Sequence, residues 1–278
     1  AGGALTTGYT STFVGYTAGA SVSTAGNNTY IGYAAGLAIT GAGNVGVGNH
    51  VMKAGSGAAA NNTAVGGGSL YAITSGTTNV AIGSEAGETL TTTSNTVLIG
   101  YQAGAAINST GANGTVAIGY QAGTNHTSGA GCVYVGNAAG DHCTDGHRNV
   151  AIGEASLSGN ADDDNVAVGY GALGTCLGAD NVGVGTNAGN TINSGTENTL
   201  VGYNVDVASE DNTSNIVLGN NLTATDKDNA VFIGNDTNHI ENDFNADATW
   251  NYSSDVRQKK EIEDDTLGLD FINKIRPV

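Results

Sequence analysis

The sequence predicts an all-β solenoid of fourteen repeats with a period of about 17 residues. The decapeptides NTVLIGYQAG and GTVAIGYQAG, which begin at Asn95 and Gly114, differ at only two positions. A single globular core gives every position different neighbours, whereas stacked repeats place copies of one residue on one another. Each repeat contains an anchor glycine that directly follows an aliphatic residue. The anchors are Gly15, Gly32, Gly48, Gly66, Gly83, Gly100, Gly119, Gly136, Gly153, Gly169, Gly185, Gly202, Gly219 and Gly234.

The residues before each anchor predict a short β-strand. The residue directly before the anchor is Val, Ile or, at Leu218, Leu, and the third residue before it is Val, Ile or Thr. Alternation of β-branched residues with period two is typical of a strand with one buried face. We therefore expect this Val/Ile face to point into the core.

The residues after each anchor predict a narrow core. The third residue after it is small in most repeats, so a second wall can approach closely there. These small residues include Ala18, Ala35, Ala86, Ala103, Ala122, Ala139, Ala172 and Ala188. A repeat of this length holds two short strands and two turns, so that the Val/Ile face and the small-residue face oppose each other within one turn. Successive rungs would then be one strand spacing apart, whereas three chains interleaved around one axis would give a shaft three times longer.

The fourth residue before the anchor is asparagine in nine of the fourteen repeats. Stacked copies of one amide can form a hydrogen-bonded ladder along the solenoid axis. Asparagine also tolerates the turn conformations that precede a strand, so the turn role alone is a second explanation. The predicted ladder residues are Asn28, Asn44, Asn62, Asn79, Asn149, Asn165, Asn181, Asn198 and Asn215.

Composition and charge restrict the partners of the chain. Glycine is abundant, with 45 copies, and only 12% of the residues are charged. A rung with few aliphatic side chains buries little, so we expect neighbouring chains to supply the missing wall, as in a homotrimer. The net charge of −17 falls mainly on residues 1–252, which hold 19 acids and 3 bases. Nucleic acid and anionic membrane attract Lys and Arg, so neither is an expected partner.

The cysteine and histidine positions predict neither a disulfide framework nor a cofactor or metal site. Cys132, Cys143 and Cys176 are odd in number and lack metal-site spacing. Cys143 lies near Asp141, His142 and His147, but in a predicted loop. The aspartates of SGNADDDN (Asp162, Asp163 and Asp164) depart from known calcium-loop patterns. Gly169, Gly171 and Gly174 form GxGxxG, but we expect no helix to follow.

A left-handed β-helix acyltransferase is the enzymatic alternative. IGYQAG fits one hexapeptide of such a helix, and three hexapeptides make a turn of about eighteen residues. Only one hexapeptide in three fits here, and the histidines occur at different positions of the repeat: His50, His126, His142, His147 and His239. We therefore expect no enzymatic activity in the shaft.

The repeat N-x-A-(V/I)-G-x-x-A resembles the head repeats of trimeric autotransporter adhesins. The resemblance implies a left-handed parallel β-roll assembled as a homotrimer. Those repeats are usually shorter than 17 residues, so extra loop residues are expected in each turn. Similar Asn- and Gly-rich repeats also occur in phage fibres.

The segment SSDVRQKKEIEDDTLGLDFINKIRPV, residues 253–278, resembles the opening of the intramolecular chaperone of endosialidase family, also called peptidase S74. The matching residues are Ser254, Asp255, Arg257, Lys259, Ile262, Leu267, Ile272, Ile275, Arg276, Pro277 and Val278. This family occurs at the end of phage tail fibres and tailspikes, assembles three chains and then cuts itself off. The resemblance implies self-cleavage at Ser254, with Asp255 and Lys259 as candidate helpers.

Three regions follow from these patterns: a repetitive shaft (1–240), a linker (241–252) and the start of a chaperone domain (253–278) whose remainder we expect after Val278. Leu267, Phe271 and Ile275 have the spacing of a short amphipathic helix. The expected function is a structural and host-attachment shaft in a virion tail, in contact with other tail proteins and a host surface receptor. A bacterial trimeric surface adhesin at the cell surface is the alternative.

Overall fold

The computed structural model describes residues 1–7 and 10–246, together with the backbone of 251–252. The described chain forms one sheet of sixteen strands, in which sequence order equals spatial order. The only helical element in these ranges is a single 3₁₀ turn, Thr110–Ala112. Strands β1 to β14 are Thr12–Val14, Thr29–Ile31, Val45–Val47, Thr63–Val65, Val80–Ile82, Val97–Ile99, Val116–Ile118, Val133–Val135, Val150–Ile152, Val166–Val168, Val182–Val184, Thr199–Tyr203, Ile216–Asn220 and Ala230–Asn235. Strands β15 and β16 are His239–Asp243 and Asn251–Tyr252.

Each of β1 to β13 pairs in parallel with the strand of the following repeat, and equivalent residues lie opposite each other. Thr12 pairs with Thr29, and Val166 pairs with Val182. One repeat is therefore one turn of a solenoid, and successive turns are separated by a single strand spacing. The predicted all-β solenoid is confirmed, as is the compact stacking of repeats within one chain.

The expectation of two strands per turn is wrong, because each turn has one regular strand, three residues long from β1 to β11. The opposite wall consists of turns whose backbone groups bond from rung to rung. The N–H of Gly19 donates to the carbonyl of Ala35, and that of Ser21 to Leu37. Since these bonds satisfy the backbone without regular strand geometry, a second ladder is not required.

The expectation that the Val/Ile face points into the core is also wrong. In most strands the middle residue is buried and its two neighbours are partly or fully exposed, as in Thr29–Ile31 around Tyr30. The interior is lined by these middle residues, by the small residues after the anchor and by aliphatic residues further along the turn, such as Ile107. Each chain thus closes its own core.

Large side chains alternate between two positions in this narrow core. In four repeats the middle strand residue is large and the fourth residue after the anchor is glycine; the middle residues are Phe13, Tyr30, Leu98 and Tyr134. A Cβ on Gly36 would lie 2.5 Å from the ring of Tyr30. In four repeats whose middle residue is Gly or Ala, the fourth residue after the anchor is instead a large buried residue. These four residues are Met52, Leu70, Leu157 and Leu173. Where both positions are small, large side chains of neighbouring rungs reach into the space: a Cβ on Gly87 would lie 2.8 Å from Leu98 and 3.0 Å from Leu70, as close packing demands.

The anchor glycines make the tight stacking possible. At Gly100, φ is +134°, and an added Cβ would lie 2.2 Å from the carbonyl oxygen of Gly119 in the next turn. The same contact recurs between successive anchors along the stack. Any larger residue would push adjacent rungs apart, which explains why glycine recurs at this position.

The parallel stack ends in an antiparallel pairing. Strand β15 folds back on β14, with Gly234 opposite His239, and β16 pairs with β15. Lys227 lies 3.6 Å from a carboxylate oxygen of Glu241 and 3.8 Å from one of Asp243. The hairpin covers the last parallel strand, so that this edge does not present free backbone groups along its length.

Candidate functional surfaces and buried ladders

The nine predicted ladder asparagines are all buried and lie in two runs. In the first run, Nδ2 of Asn62 donates to Oδ1 of Asn44 at 3.1 Å, and Nδ2 of Asn79 donates to Oδ1 of Asn62 at 3.0 Å. Each Nδ2 also donates to a carbonyl of the turn that leads into the next strand, such as Gly76 for Asn62 at 3.0 Å. The amides therefore join neighbouring rungs and also fix the turn before each strand.

The second run extends from Asn149 to Asn215. The backbone N–H of Asn165 donates to Oδ1 of Asn149 at 2.9 Å, and that of Asn215 donates to Oδ1 of Asn198 at 3.0 Å. Three other residues separate the two runs. They are Thr96, Thr115 and Cys132.

The outward-facing residues of the strands form a continuous apolar surface, which we call the outer stripe. It consists of the third and first residues before the anchor in each of the fourteen repeats, and of these only Val231 is buried. Twenty-four of these 28 residues are Val, Ile or Leu, four are Thr and none is charged. Several are well exposed: Val14 by 55%, Ile82 by 40% and Ile152 by 40%.

The outer stripe has the size and composition of a protein–protein interface. Thirteen steps of about 4.8 Å and a width of about 10 Å give on the order of 600 Å². A standard interface covers roughly 600 to 1,000 Å² on each partner and is depleted of charge at its centre. Apolar patches of this size on protein surfaces are often functional.

A discontinuous column of tyrosines borders the outer stripe on the turn side. The residue directly after the anchor is an exposed tyrosine in six repeats, and neighbouring rings stack. The ring centroids of Tyr16 and Tyr33 are 5.5 Å apart, and those of Tyr101 and Tyr120 are 5.4 Å apart. The six are Tyr16, Tyr33, Tyr101, Tyr120, Tyr170 and Tyr203.

A buried polar cluster that the repeat pattern does not predict lies between the two asparagine runs. Nε2 of His126 lies 2.6 Å from the carbonyl oxygen of Gly129, and the hydroxyl of Tyr134 lies 3.3 Å from Nδ1. This geometry fits a neutral ring protonated at Nε2, with Nδ1 accepting from the tyrosine. Burial lowers the pKa of His126 and raises that of Tyr134. The signal in the sequence was His126 at a position that carries Ile107 in the preceding repeat.

The cysteines belong to the interior. Cys132, Cys143 and Cys176 are all buried and unpaired. Burial raises the pKa of Cys143 to about 12 and that of Cys176 to about 11. Thiols protonated at neutral pH are poor nucleophiles and poor metal ligands.

The residues near Cys143 do not assemble with it into a ligand set. Nδ1 of His142 contacts a carboxylate oxygen of Asp141 at the surface, while His147 accepts a hydrogen bond from the backbone of Ala130. Throughout the described ranges, no group of three or more His, Cys, Asp or Glu side chains is placed to hold a metal ion.

The aspartate turn and the GxGxxG motif are parts of the repeat. Both oxygens of the Asp164 carboxylate bond to the guanidinium of Arg148, and Asp163 bonds to the same group at 3.2 Å. The GxGxxG segment follows strand β10 and continues as a turn rather than a helix, as expected. The candidate cleavage residues Ser254, Asp255 and Lys259, and the predicted C-terminal helix, lie outside the described residues.

Comparisons with known proteins add no family to this geometry. No protein-family model matches the chain, and neither a curated protein nor a solved structure matches it. The described part of the chain has no helix that is long and apolar enough to cross a membrane.

Proposed function

We propose that this chain is the structural and host-attachment shaft of a homotrimeric phage tail fibre or tailspike. The observation that supports this best is the outer stripe, which runs uncharged along every rung of a stack of fourteen parallel strands. Since each chain closes its own core, this apolar surface is free to meet partners. A virion tail is the corresponding location, with other tail proteins as further partners.

Another copy of this chain fits the outer stripe better than an unrelated partner does. The stripe repeats its outward pair once per strand spacing, so a partner must have the same spacing to match it over the full length. A parallel copy has that spacing and presents the same residues. Three copies around one axis turn all three stripes inward, which closes the assembly as a symmetric oligomer.

The acidic exterior and the buried reactive groups support a passive shaft. Like charges on the outside keep a long assembly soluble and limit its sideways association. The thiols and His126 are enclosed in the core, where they stabilise the fold and cannot meet a substrate.

The mass of the chain in solution tests the assembly. Light scattering on the purified 278-residue chain should give three times 27.5 kDa, independent of concentration over a wide range. A stable monomer with unchanged circular dichroism would contradict the proposal. A dimer would contradict the three-fold arrangement but would still be consistent with the outer stripe as the contact surface.

The C-terminal resemblance supports a second part of the proposal, self-cleavage beside Ser254. Expression of the full-length gene should yield two fragments, whereas the Ser254→Ala variant should remain a single chain. Ser253→Ala is the matched control because it removes the neighbouring hydroxyl, and it should still be cut. Fragments of unchanged size from Ser254→Ala would remove the assignment.

A further inference from the structure

The fourth repeat interrupts the surface beside the outer stripe with a groove. It is the only repeat in which the first and second residues after the anchor are both glycine, Gly67 and Gly68. A Cβ on Gly67 would have no neighbour closer than the carbonyl oxygen of Asn49 at 3.8 Å, so the glycine leaves open space. The resulting groove has a volume of about 280 Å³. Its side-chain walls are Asn49, His50, Tyr71, Ser84, Glu85 and Glu88.

A chain of hydrogen bonds fixes one acidic wall of this groove. One carboxylate oxygen of Glu85 accepts from Nε2 of Gln102 at 2.8 Å. Gln102 in turn accepts from Nε2 of Gln121 at 2.9 Å through its own side-chain oxygen. Glu85 is thus held in place by the two following rungs. Its side chain therefore loses less conformational entropy when a ligand binds.

An aromatic row leads into the opposite wall. The rings of Tyr16 and Tyr33 stack, and the Tyr33 and His50 ring centroids are 5.2 Å apart. Nε2 of His50 is buried without a hydrogen-bond partner among the described residues. Tyr71 adds a further ring and hydroxyl beside the carboxylates. The groove therefore combines apolar ring surfaces with convergent acceptors and donors, a composition typical of small-molecule sites.

We propose that this groove binds a sugar residue of a surface glycan, one that carries hydroxyl or amino groups and no acidic group. The C–H faces of a sugar ring pack on aromatic rings, while neighbouring hydroxyls donate to carboxylates and amides. Glu85 and Glu88 repel an acidic sugar and attract an amino sugar. The role of the groove in host attachment rests on the proposed function. The groove itself is formed by a single chain.

Filling the groove provides the sharpest test. Tyrosine occupies the position of Gly67 in six other repeats, and φ at Gly67 is not in the left-handed region. Gly67→Tyr should therefore preserve the fold while its ring blocks the groove. Asn137→Tyr adds the same side chain at the equivalent position four repeats later and is the matched control.

Binding is measured by saturation-transfer NMR and calorimetry with short oligosaccharides of glucose, galactose, N-acetylglucosamine, glucosamine and glucuronic acid. The unaltered chain and Asn137→Tyr should bind at least one neutral or amino sugar but not the glucuronic acid probe. Gly67→Tyr should weaken that binding by at least about tenfold, and Glu88→Gln should reduce it less.

Two outcomes would overturn the sugar site. One is that no neutral or amino sugar binds to the unaltered chain, and the other is that Gly67→Tyr binds as well as the control. The solution mass of the same samples is measured in parallel. A three-chain mass without sugar binding rejects this site alone, whereas sugar binding by a monomer rejects the proposed assembly alone.

Discussion

At the scale of single residues, the buried asparagines link successive turns more specifically than aliphatic packing does. Asn62 accepts from the backbone N–H and from Nδ2 of Asn79, both at 3.0 Å, and it also donates to Asn44. An aliphatic side chain can shift along the axis at little cost. A buried amide out of register leaves donors and acceptors unpaired, which costs free energy for each group.

Replacing one ladder asparagine should therefore destabilise the shaft strongly. Asn62→Ala removes four hydrogen bonds and leaves the N–H of Asn79 and the carbonyl of Gly76 without these partners. We expect the free energy of unfolding to fall by about 2 to 4 kcal/mol. Chemical denaturation monitored by circular dichroism measures it. Asn137→Ala, at an exposed site, should change it by less than about 0.5 kcal/mol, and equal effects of the two substitutions would refute a stabilising ladder.

His126 should make the stability of the shaft depend on pH. Its pKa in the folded chain lies below the ordinary histidine value of about 6.5 because of burial, with His147 lowering it further and Asp145 opposing this. Between the folded pKa and 6.5, the unfolded chain binds a proton that the folded chain does not. Stability is then complete above pH 6.5 and falls as the pH is lowered through this window.

The matched variant is His126→Ile, because Ile39, Ile73 and Ile107 occupy the same position in other repeats. We expect its free energy of unfolding to be lower at every pH, since Gly129 and Tyr134 lose a partner. Between pH 7.5 and 5, however, its free energy of unfolding should change less with pH than that of the unaltered chain. Thermal unfolding at several pH values measures both slopes. Identical slopes would assign the pH dependence to other groups.

At the scale of elements, each strand faces opposite to the sequence expectation. A strand of three residues has one side chain on one face and two on the other. In the structure the single middle residue enters the core, and the two β-branched residues face outward. The core is narrow, and it takes one side chain per strand together with those from the turns. The two outward residues then form the outer stripe.

Charge placed on the outer stripe should separate the chains without unfolding them. Ile82→Lys and Ile152→Lys each add an ammonium group to an exposed stripe position, and burial of an unpaired charge in an interface is strongly unfavourable. We expect the solution mass to fall to that of one chain while circular dichroism is unchanged.

Leu177→Lys is the control for this experiment. Leu177 is an exposed leucine, 42% accessible, that lies on the turns rather than on the outer stripe. Its replacement should leave the mass unchanged. If all three lysine variants dissociate alike, or if none does, the outer stripe is not the contact surface.

At the scale of the whole molecule, consecutive pairing of β1 to β14 sets the length of the shaft. Thirteen steps of about 4.8 Å place the first and last parallel strands roughly 60 Å apart. Cryo-electron microscopy or small-angle scattering of the purified chain measures this distance. A shaft on the order of 190 Å would require chains interleaved around one axis and would contradict the pairing within a single chain.

The sequence by itself determined the features that recur with the period. Repetition gave the number of turns, the strand before each anchor, the glycine that permits close stacking and the column of asparagines. These features follow from local patterns because each repeat stacks on a similar repeat, so equivalent residues have the same kind of neighbour in every turn. The resemblance at residues 253–278 was likewise available from the sequence, and the self-cleavage expected there remains a prediction.

Only the tertiary structure decided which side of each strand is the inside. Alternation over three residues is equally compatible with either face, so the choice depends on how the following turn bends and on the volume left beside the middle residue. The exchange of volume between Tyr30 and Gly36, and between Ala64 and Leu70, shows that this space is shared across a turn. The contact of His126 with Tyr134 joins residues from different positions of the repeat. Such contacts also depend on how the turn folds, which the periodic sequence pattern does not specify.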